Sequence, residues 1–476
     1  MASSKRASRN PASLFCLVLF LKFLSWVTAM LMVGENDFHA LTLYKQGPFK
    51  KEKFFTVIVK RTYSITEKGE LEALPRDDQP GILAPTPYED DLGRSIEYPG
   101  DFDEYKPLVD VIVNGTAFAP DGQPVDQLDV SLEVKELKKT LRVFGNRRWV
   151  RGDLDEIHIS DPEPFLSMPI RWEKAFGSLD NRANPMGMGK YQDHETDPED
   201  PIFSLPNIEN PDEFLEEFGA EVKPVGFSTV SQTWEPRTSL FGTMNAYWAT
   251  FRSPLPPKDL NPRYYNAAPE DQQFEDMRGD EALNFVNLNE KFPRYQIQLP
   301  AIKPRFFYVP MNKNAEEQAL DLIEENIKFD TVVVDLTESL IHLVWRGRID
   351  CIDTGALDTT LYLYVVEDKI EETIPFEEIQ KKFEEEVVDI EKTREAGVIS
   401  EEKVMASVWG PLVEQIVKVL EEVKADPSLI AAAAAMTDPE SGKEMFQAEF
   451  TKLQSQLTKQ ADEEHAKAKK LRESQQ

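Results

Sequence analysis

Proline is the feature that most constrains this chain. There are 33 prolines in 476 residues, and much of the proline lies between Pro75 and Pro310. Each one removes a backbone donor and crowds the preceding helical turn, so long helices are broken there. Short strands with irregular connections are what such spacing leaves. The length suggests two or three domains, at roughly 100–200 residues per domain, and is ample for a sizeable core. With 41% hydrophobic and 10% aromatic residues, the bulk reads as globular.

Strand signals support this. "FFTVIVKRTYSI" (Phe54–Ile65) alternates, with Phe55, Val57, Val59, Tyr63 and Ile65 on one face and Arg61 the exception. It reads as a half-buried strand, and "EKGE" after it as a turn. "PLVDVIVNG" (Pro107–Gly115) is a second strand. "LDVSLEVKELKKTLRVFG" (Leu128–Gly145) reads as two strands joined around Glu136–Lys138. Further candidates are Tyr295–Pro300, Arg305–Pro310, Asp330–Leu336, Ser339–Gly347 and Leu361–Asp368, with "LTES" a hairpin turn and "WRG" (Trp345–Gly347) ending its strand. With no strong helix among the early strands, antiparallel β is expected rather than βαβ units. Between Trp149 and Asn284 regular patterns are few. Trp172, Phe176, Phe203, Phe227, Trp234, Phe241, Tyr247, Trp248 and Phe251 supply the apolar area to pack that region as folded but irregular chain.

After Asp368 the pattern changes. Phe376, Ile379, Phe383, Val387 and Ile390 fall on one helical stripe. Ser400 opens another helix, Leu412, Ile416, Val419 and Val423 continue it, and Phe450, Leu453 and Leu457 form a further stripe. The expected class is therefore α+β: a predominantly antiparallel β body with long Pro/Gly/aromatic-rich connections, then a helical C-terminal region. The divisions are residues 1–31, a hydrophobic leader or mis-assigned start; 32–368, the β-rich domain; 369–466, acidic helices; and 467–476, a polar tail.

Acidic residues outnumber basic ones 85 to 54, for a formal charge of −31. That field repels phosphate backbones and anionic lipid heads, so no nucleic-acid partner is expected. Two cysteines, Cys16 and Cys351, exclude a disulfide framework and are too few for a cysteine metal site. The basic "MASSKRASRN" followed by an apolar run resembles a signal peptide or anchor. Lys22 interrupts that run at a cost of roughly 2.5–3.5 kcal/mol on insertion scales. The alternative is translation from Met30 or Met32. With a genuine leader, "NGT" (Asn114–Thr116) would be a glycosylation sequon; without one it is a turn at a strand end.

Signatures of chemistry are weak. There is no GxSxG elbow and no Walker A loop. "NPMGMGK" (Asn184–Lys190) lacks the strand and helix of a phosphate loop and reads as a turn. His194 sits among Asp193, Glu195, Asp197, Glu199 and Asp200, but the spacing fits neither a helical His pair nor an EF-hand. His342 falls on the polar phase of its strand, solvent-facing or hydrogen-bonded. No metal, cofactor or catalytic set is expected. The alternatives to a binding protein are a hydrolase-like enzyme using His194 or His158 beside Asp271, and an envelope-anchored structural protein using the leader.

An ordered series of short motifs carries a resemblance: "VIVKRTYSI", "KPLVDVIVNGTAFAP", "LRVFGNRRW", "PFLSMPIRWEKAFGS", "NPMGMG", "LPNIENP", "PVGFSTV", "WEPR", "GTMNAYW", "FRSPLPPKDLNPRYYNAAPEDQQ", "RGDE" and "LVWRG". In this order, from about Asn36 to about Asp368, the chain closely resembles the bacterial domain of unknown function 2169 family. The resemblance implies a cytoplasmic, non-enzymatic adaptor or chaperone of type VI secretion. Its partners would be a toxic effector and a spike or PAAR-like tip protein. Members begin near the equivalent of Met32–Phe38, which favours the internal start; a membrane enters only if the leader is real. Departures are Ser178, where a second glycine is common, the leader, and the long helical tail. The candidate partner-binding residues are Arg147, Trp149, Trp234, Arg237, Arg252, Asn266, Asp271, Gln272 and Gln273. For the polar motif the first role is a seam within the fold, where Asn and Gln satisfy several backbone groups each, with partner binding second; Trp149 and Trp234 also read first as structural. In that role Asp271 would accept from backbone N–H groups or pair with Arg237 or Arg252.

Overall fold

Valine, isoleucine and threonine runs build the centre of the molecule. The computed structural model describes residues 31–33, 37–46, 53–91, 93–152, 156–190, 203–252, 255–310, 322–350 and 361–395, with 417 and 434. The leader, the acidic run around His194, the helices expected after Ser400 and the polar tail lie outside these residues. By Cα proximity the chain divides into two compact units, Met32–Val387, and Met1–Leu31 with Val388–Gln476.

Its central sheet runs, among the described residues, in the order Gln273–Phe274, Val109–Asn114, Ile327–Asp335, Leu340–Asp350, Lys53–Ile65 and His39–Gln46, with Leu71–Ala73 also on the Lys53–Ile65 strand. Pairing is antiparallel except between Val109–Asn114 and Ile327–Asp335, where Thr331 opposes Asp110 and Asp335 opposes Asn114 in parallel. A parallel pair needs a crossover. Here the crossover is the whole stretch from Gly115 to Asn326, and it contains a second sheet. That sheet is antiparallel throughout: Ile208–Glu209, Leu137–Phe144, Gln127–Val134, Ala282–Val286 and Arg294–Gln298.

Three expectations need correcting. The Lys53–Ile65 strand is not half-buried: from Phe54 to Tyr63 every residue is buried, because both faces of the sheet are covered. Such strands read as continuous apolar runs rather than alternations. "WRG" does not end a strand, since Leu340–Asp350 runs past it and buries Arg346. The hairpin turn lies at Lys135–Glu136, because Leu137 pairs with Val134 and Lys135 takes φ 50°. The Pro/Gly-rich stretch is folded through short strands and single turns, and Trp172, Phe176, Phe227, Trp234 and Phe241 are buried in it.

The helix Phe376–Glu395 keeps its stripe: Ile379, Phe383 and Val387 are buried. Phe383 packs on Tyr364 and Phe376 on Phe307, at 5.3 and 6.2 Å between ring centroids, which seats the helix on the strands Arg305–Pro310 and Leu361–Val366. No helix among the described residues is long and apolar enough to cross a membrane.

Candidate functional site

The polar motif Arg263–Leu283 is anchored under the central sheet. Asn266 is fully buried; its Nδ2 donates to the Leu108 carbonyl (2.8 Å) and to Asp110 (2.9 Å), whose other oxygen accepts from the Ala267 amide. Gln272 is also fully buried. Its Nε2 donates to the Val111 and Phe227 carbonyls at 2.7 and 2.9 Å, and its Oε1 accepts from Lys139. Gln273 donates to the Ala268 carbonyl and accepts from Arg263. Asp271 is half exposed and pairs with Lys139 at 2.8 Å, not with Arg237 or Arg252. The reason is register: Lys139 projects from the adjacent hairpin. These side chains stitch the irregular region to the edge of the central sheet, where Gln273 pairs with Asp110.

Trp234 and Arg237 frame the same region from behind. Trp234 meets Trp172 edge-on at 5.9 Å. The buried Arg237 donates to the Tyr264 and Val230 carbonyls. Arg252 donates to the Pro256 carbonyl and closes the turn after its helix. "NPMGMGK" turns at Pro185–Met186 and then forms a short strand, Met188–Gly189, parallel to Phe176–Gly177. Asn184 is buried and donates to the Trp172 and Phe176 carbonyls, while Lys190 lies between Asp180 and Glu221. Asn114, of the formal sequon, is buried with its Nδ2 on the Glu97 carbonyl, which fits the end of a strand.

"GNRRW" builds a different place. Trp149 packs with Phe176, Leu205 and Leu215. Arg147, from the same segment, lies with its guanidinium 3.6 Å from the Phe144 ring centroid and donates to the Pro206 carbonyl and to Glu209. Glu209 in turn accepts from the Leu215 amide. Beside this buried pair opens a cleft of about 430 Å³, lined by Arg147, Arg148, Glu163, Lys174, Met188 and Ser204 among others.

Sequence reasoning missed a row of charges inside the central sheet. Lys60 donates to Asp101 at 3.1 Å, Tyr98 donates its hydroxyl to the same carboxylate, Arg346 donates to Asp330 and to the Asp101 carbonyl, and Lys106 donates to Asp110 and Thr331. All of these are buried. The Ile327–Asp335 strand slips register between Phe329 and Thr331. That bulge turns Asp330 and Thr331 toward one partner, Arg346. Burial opposes the Asp101 carboxylate, but Lys60, the Tyr98 hydroxyl, the Leu83 amide and Arg346 outweigh it and hold its pKa below the usual value. Burial likewise works against the Arg346 cation, yet Asp330 leads a set of carboxylates that raises it. His342 is hydrogen-bonded, not solvent-facing: its Nδ1 lies 3.0 Å from Thr62 Oγ1, and burial lowers its pKa to about 3. The signal was present as a charge inside each apolar run: "VIVKRTY", "LVDVIV", "FDTVVV" and "LVWRG".

A second feature was misread as core. Tyr247 and Phe251, on the helix Ala246–Phe251, are 63% and 68% exposed, with ring centroids 5.3 Å apart. The helix is pinned by Asn245, which caps the Trp248 amide, and by the Trp248 indole on the Leu255 carbonyl. Trp248 is half-buried, while Tyr247 and Phe251, one turn apart, face out.

His158 is exposed on the strand Ile157–Ile159. Among the described residues, no group of three or more His, Cys, Asp or Glu is placed to hold a metal ion. No curated protein and no solved structure matches the chain. Residues 50–346 match the model of a family described as an uncharacterized protein conserved in bacteria, DUF2169; that span takes in the second sheet and most of the central one, and the chain belongs to that family.

Proposed function

We propose that this protein is a non-enzymatic, cytoplasmic adaptor or chaperone of type VI secretion. It binds a secreted effector, a PAAR-like spike-tip protein, or both, and loads the effector for export. The ordered motif series and the family membership support this reading. The observation that carries it is the exposed Tyr247–Phe251 pair, set on a short pinned helix within the motif-rich region. Large aromatics on a rigid support lose little entropy on docking and are favoured interface anchors. The polar motifs serve as the frame that holds this support: Asn266, Gln272 and Arg237 each bridge two or more backbone segments.

The test is affinity capture with the full chain in its native host, identifying captured proteins by mass spectrometry. The expected catch is a spike-tip protein or a toxin-like effector. Replacing Tyr247 and Phe251 by Ala should cut that catch about tenfold or more and leave the melting temperature unchanged, since both side chains are exposed. Undiminished capture by the double variant, or absence of both partner types with the bait folded, overturns the reading.

A further inference from the structure

The geometry points to the cleft beside Arg147 as a binding site for a peptide carboxylate, a site distinct from the aromatic pair. This assignment rests on the protein-partner reading above and names a chemistry for it. The floor is prebuilt. Arg147 is 8% exposed and held against Phe144, Pro206 and Glu209, so its plane is fixed before any ligand arrives. Among the described residues its buried Nε has no hydrogen-bond partner.

Two more cations flank it. Among the described residues Lys174 makes no ion pair. Arg148 pairs with Glu163 at 3.2 Å, with both side chains more than half exposed. Exposed pairs of that kind exchange at little cost. Arg147, Arg148 and Lys174 against Glu163 and Glu209 leave one net positive charge, in a chain whose formal charge is −31. A single positive charge matches a carboxylate better than a phosphate dianion. Ser204 adds an exposed hydroxyl, and the half-buried Met188 gives one wall an apolar face. The ligand so described is a carboxylate with an apolar group beside it: a chain terminus, or an Asp or Glu next to an apolar residue.

The probe is a fluorescein-labelled peptide carrying glutamates and a C-terminal leucine, titrated by anisotropy against the full chain at low salt. Binding is expected, and Lys174→Gln should weaken it about tenfold. Lys174 and Ser204 lie at the rim, so Lys174→Gln and Ser204→Ala leave the fold intact. Loss of binding on amidating the terminus assigns the terminal carboxylate; loss on Glu→Gln in the peptide assigns a side-chain carboxylate. No binding, indifference to Lys174→Gln, or displacement by inorganic phosphate as readily as by peptide overturns the assignment. Peptide binding together with failed partner capture defeats the adaptor reading alone; capture with no peptide binding defeats the cleft alone.

Discussion

The central sheet and the second sheet use the same residue types in opposite ways. In the second sheet, charge marks the outside, with the edge residue Glu209, buried against Arg147, as the exception. Along Arg294–Gln298, Tyr295 and Ile297 are buried while Arg294, Gln296 and Gln298 are exposed. Arg142 faces Asp129 directly across the hairpin, and both remain in contact with solvent. In the central sheet, charge marks the inside. Lys60, Asp110, Asp330 and Arg346 are each at most 4% exposed, in strands that otherwise hold valine and isoleucine. The difference follows from what covers each sheet. The polar row of the central sheet lies under Tyr98, Asp101, Asn266 and Ala267, which supply its partners. A buried charge costs far more unpaired than paired, so the row fixes which loop lies over which strand.

The sharpest way to break the comparison is Asp101→Ala. It removes the acceptor for Lys60, for the Tyr98 hydroxyl and for the Leu83 amide together. The expected loss is about 3–5 kcal/mol, because Lys60 is left charged and buried. Denaturant unfolding at neutral pH measures it. Lys60→Met combined with Asp101→Leu should recover the part of that loss due to the uncompensated Lys60 charge, while the Tyr98 hydroxyl and the Leu83 amide stay unpaired. A loss under about 1 kcal/mol for the single variant, the scale of an exposed pair, would erase the distinction between the sheets.

His342 gives the next effect. Its pKa is lowered to about 3 in the folded chain, against an ordinary value of 6.5. Below 6.5 the unfolded chain takes up a proton that the folded chain refuses until about 3. The stability from neutral His342 is therefore fully present above 6.5 and is lost as pH falls toward 3. The slope approaches about 1.4 kcal/mol per pH unit in that window. Unfolding curves between neutral and acid pH should show a shallower acid slope for His342→Leu than for the parent. Equal slopes would place a hydrated, titrating imidazole where the structure has a dry one.

A smaller effect is expected where the sheets meet. Gly69 takes φ +86°, and a Cβ there would lie 1.9 Å from the Gln296 carbonyl oxygen. The Tyr295 hydroxyl donates to the Thr66 carbonyl across the same joint. A backbone atom cannot swing aside like a side chain. Gly69→Ala should cost about 1–3 kcal/mol, from strain in the turn and crowding at the joint. A change in thermal midpoint no larger than that of an exposed-loop substitution would show that the joint yields.

This contrast also explains what could be read in advance. The second sheet's hairpin, Leu128–Gly145, was legible because one face is solvated and period 2 survives in the sequence. Strand positions in the central sheet were legible from β-branched runs, but their burial was not. Lys60 and Arg346 look like outward positions when only one strand is in view. Their partners Asp101 and Asp330 lie 41 and 16 residues away, and no local pattern links them. The polar motif gave the seam role of Asn266 and Gln272 by composition. Their acceptors, the Leu108 and Val111 carbonyls, depend on a fold that the motif does not encode by itself. Tyr247 and Phe251 were unreadable for a related reason. With Trp248 between them, three neighbouring aromatics look like core until the helix shows which one is half-buried.

The smallest effect defines the other side of the comparison. Asp129→Ala removes a two-pronged contact with Arg142, which donates both Nε and Nη2 to the carboxylate. The same geometry in the central sheet would be costly to lose. Here Arg142 returns to water, and its Nη1 keeps the Gln127 side chain as a partner. The expected loss is at most about 1 kcal/mol, shrinking further as salt rises. Unfolding midpoints at low and high ionic strength measure both. A loss comparable to that of Asp101→Ala, unchanged by salt, would mean that the outer face of the second sheet is covered. The natural cover for such a face is a partner chain, so that outcome would move the search for the binding surface from the helix of Tyr247 and Phe251 to this sheet.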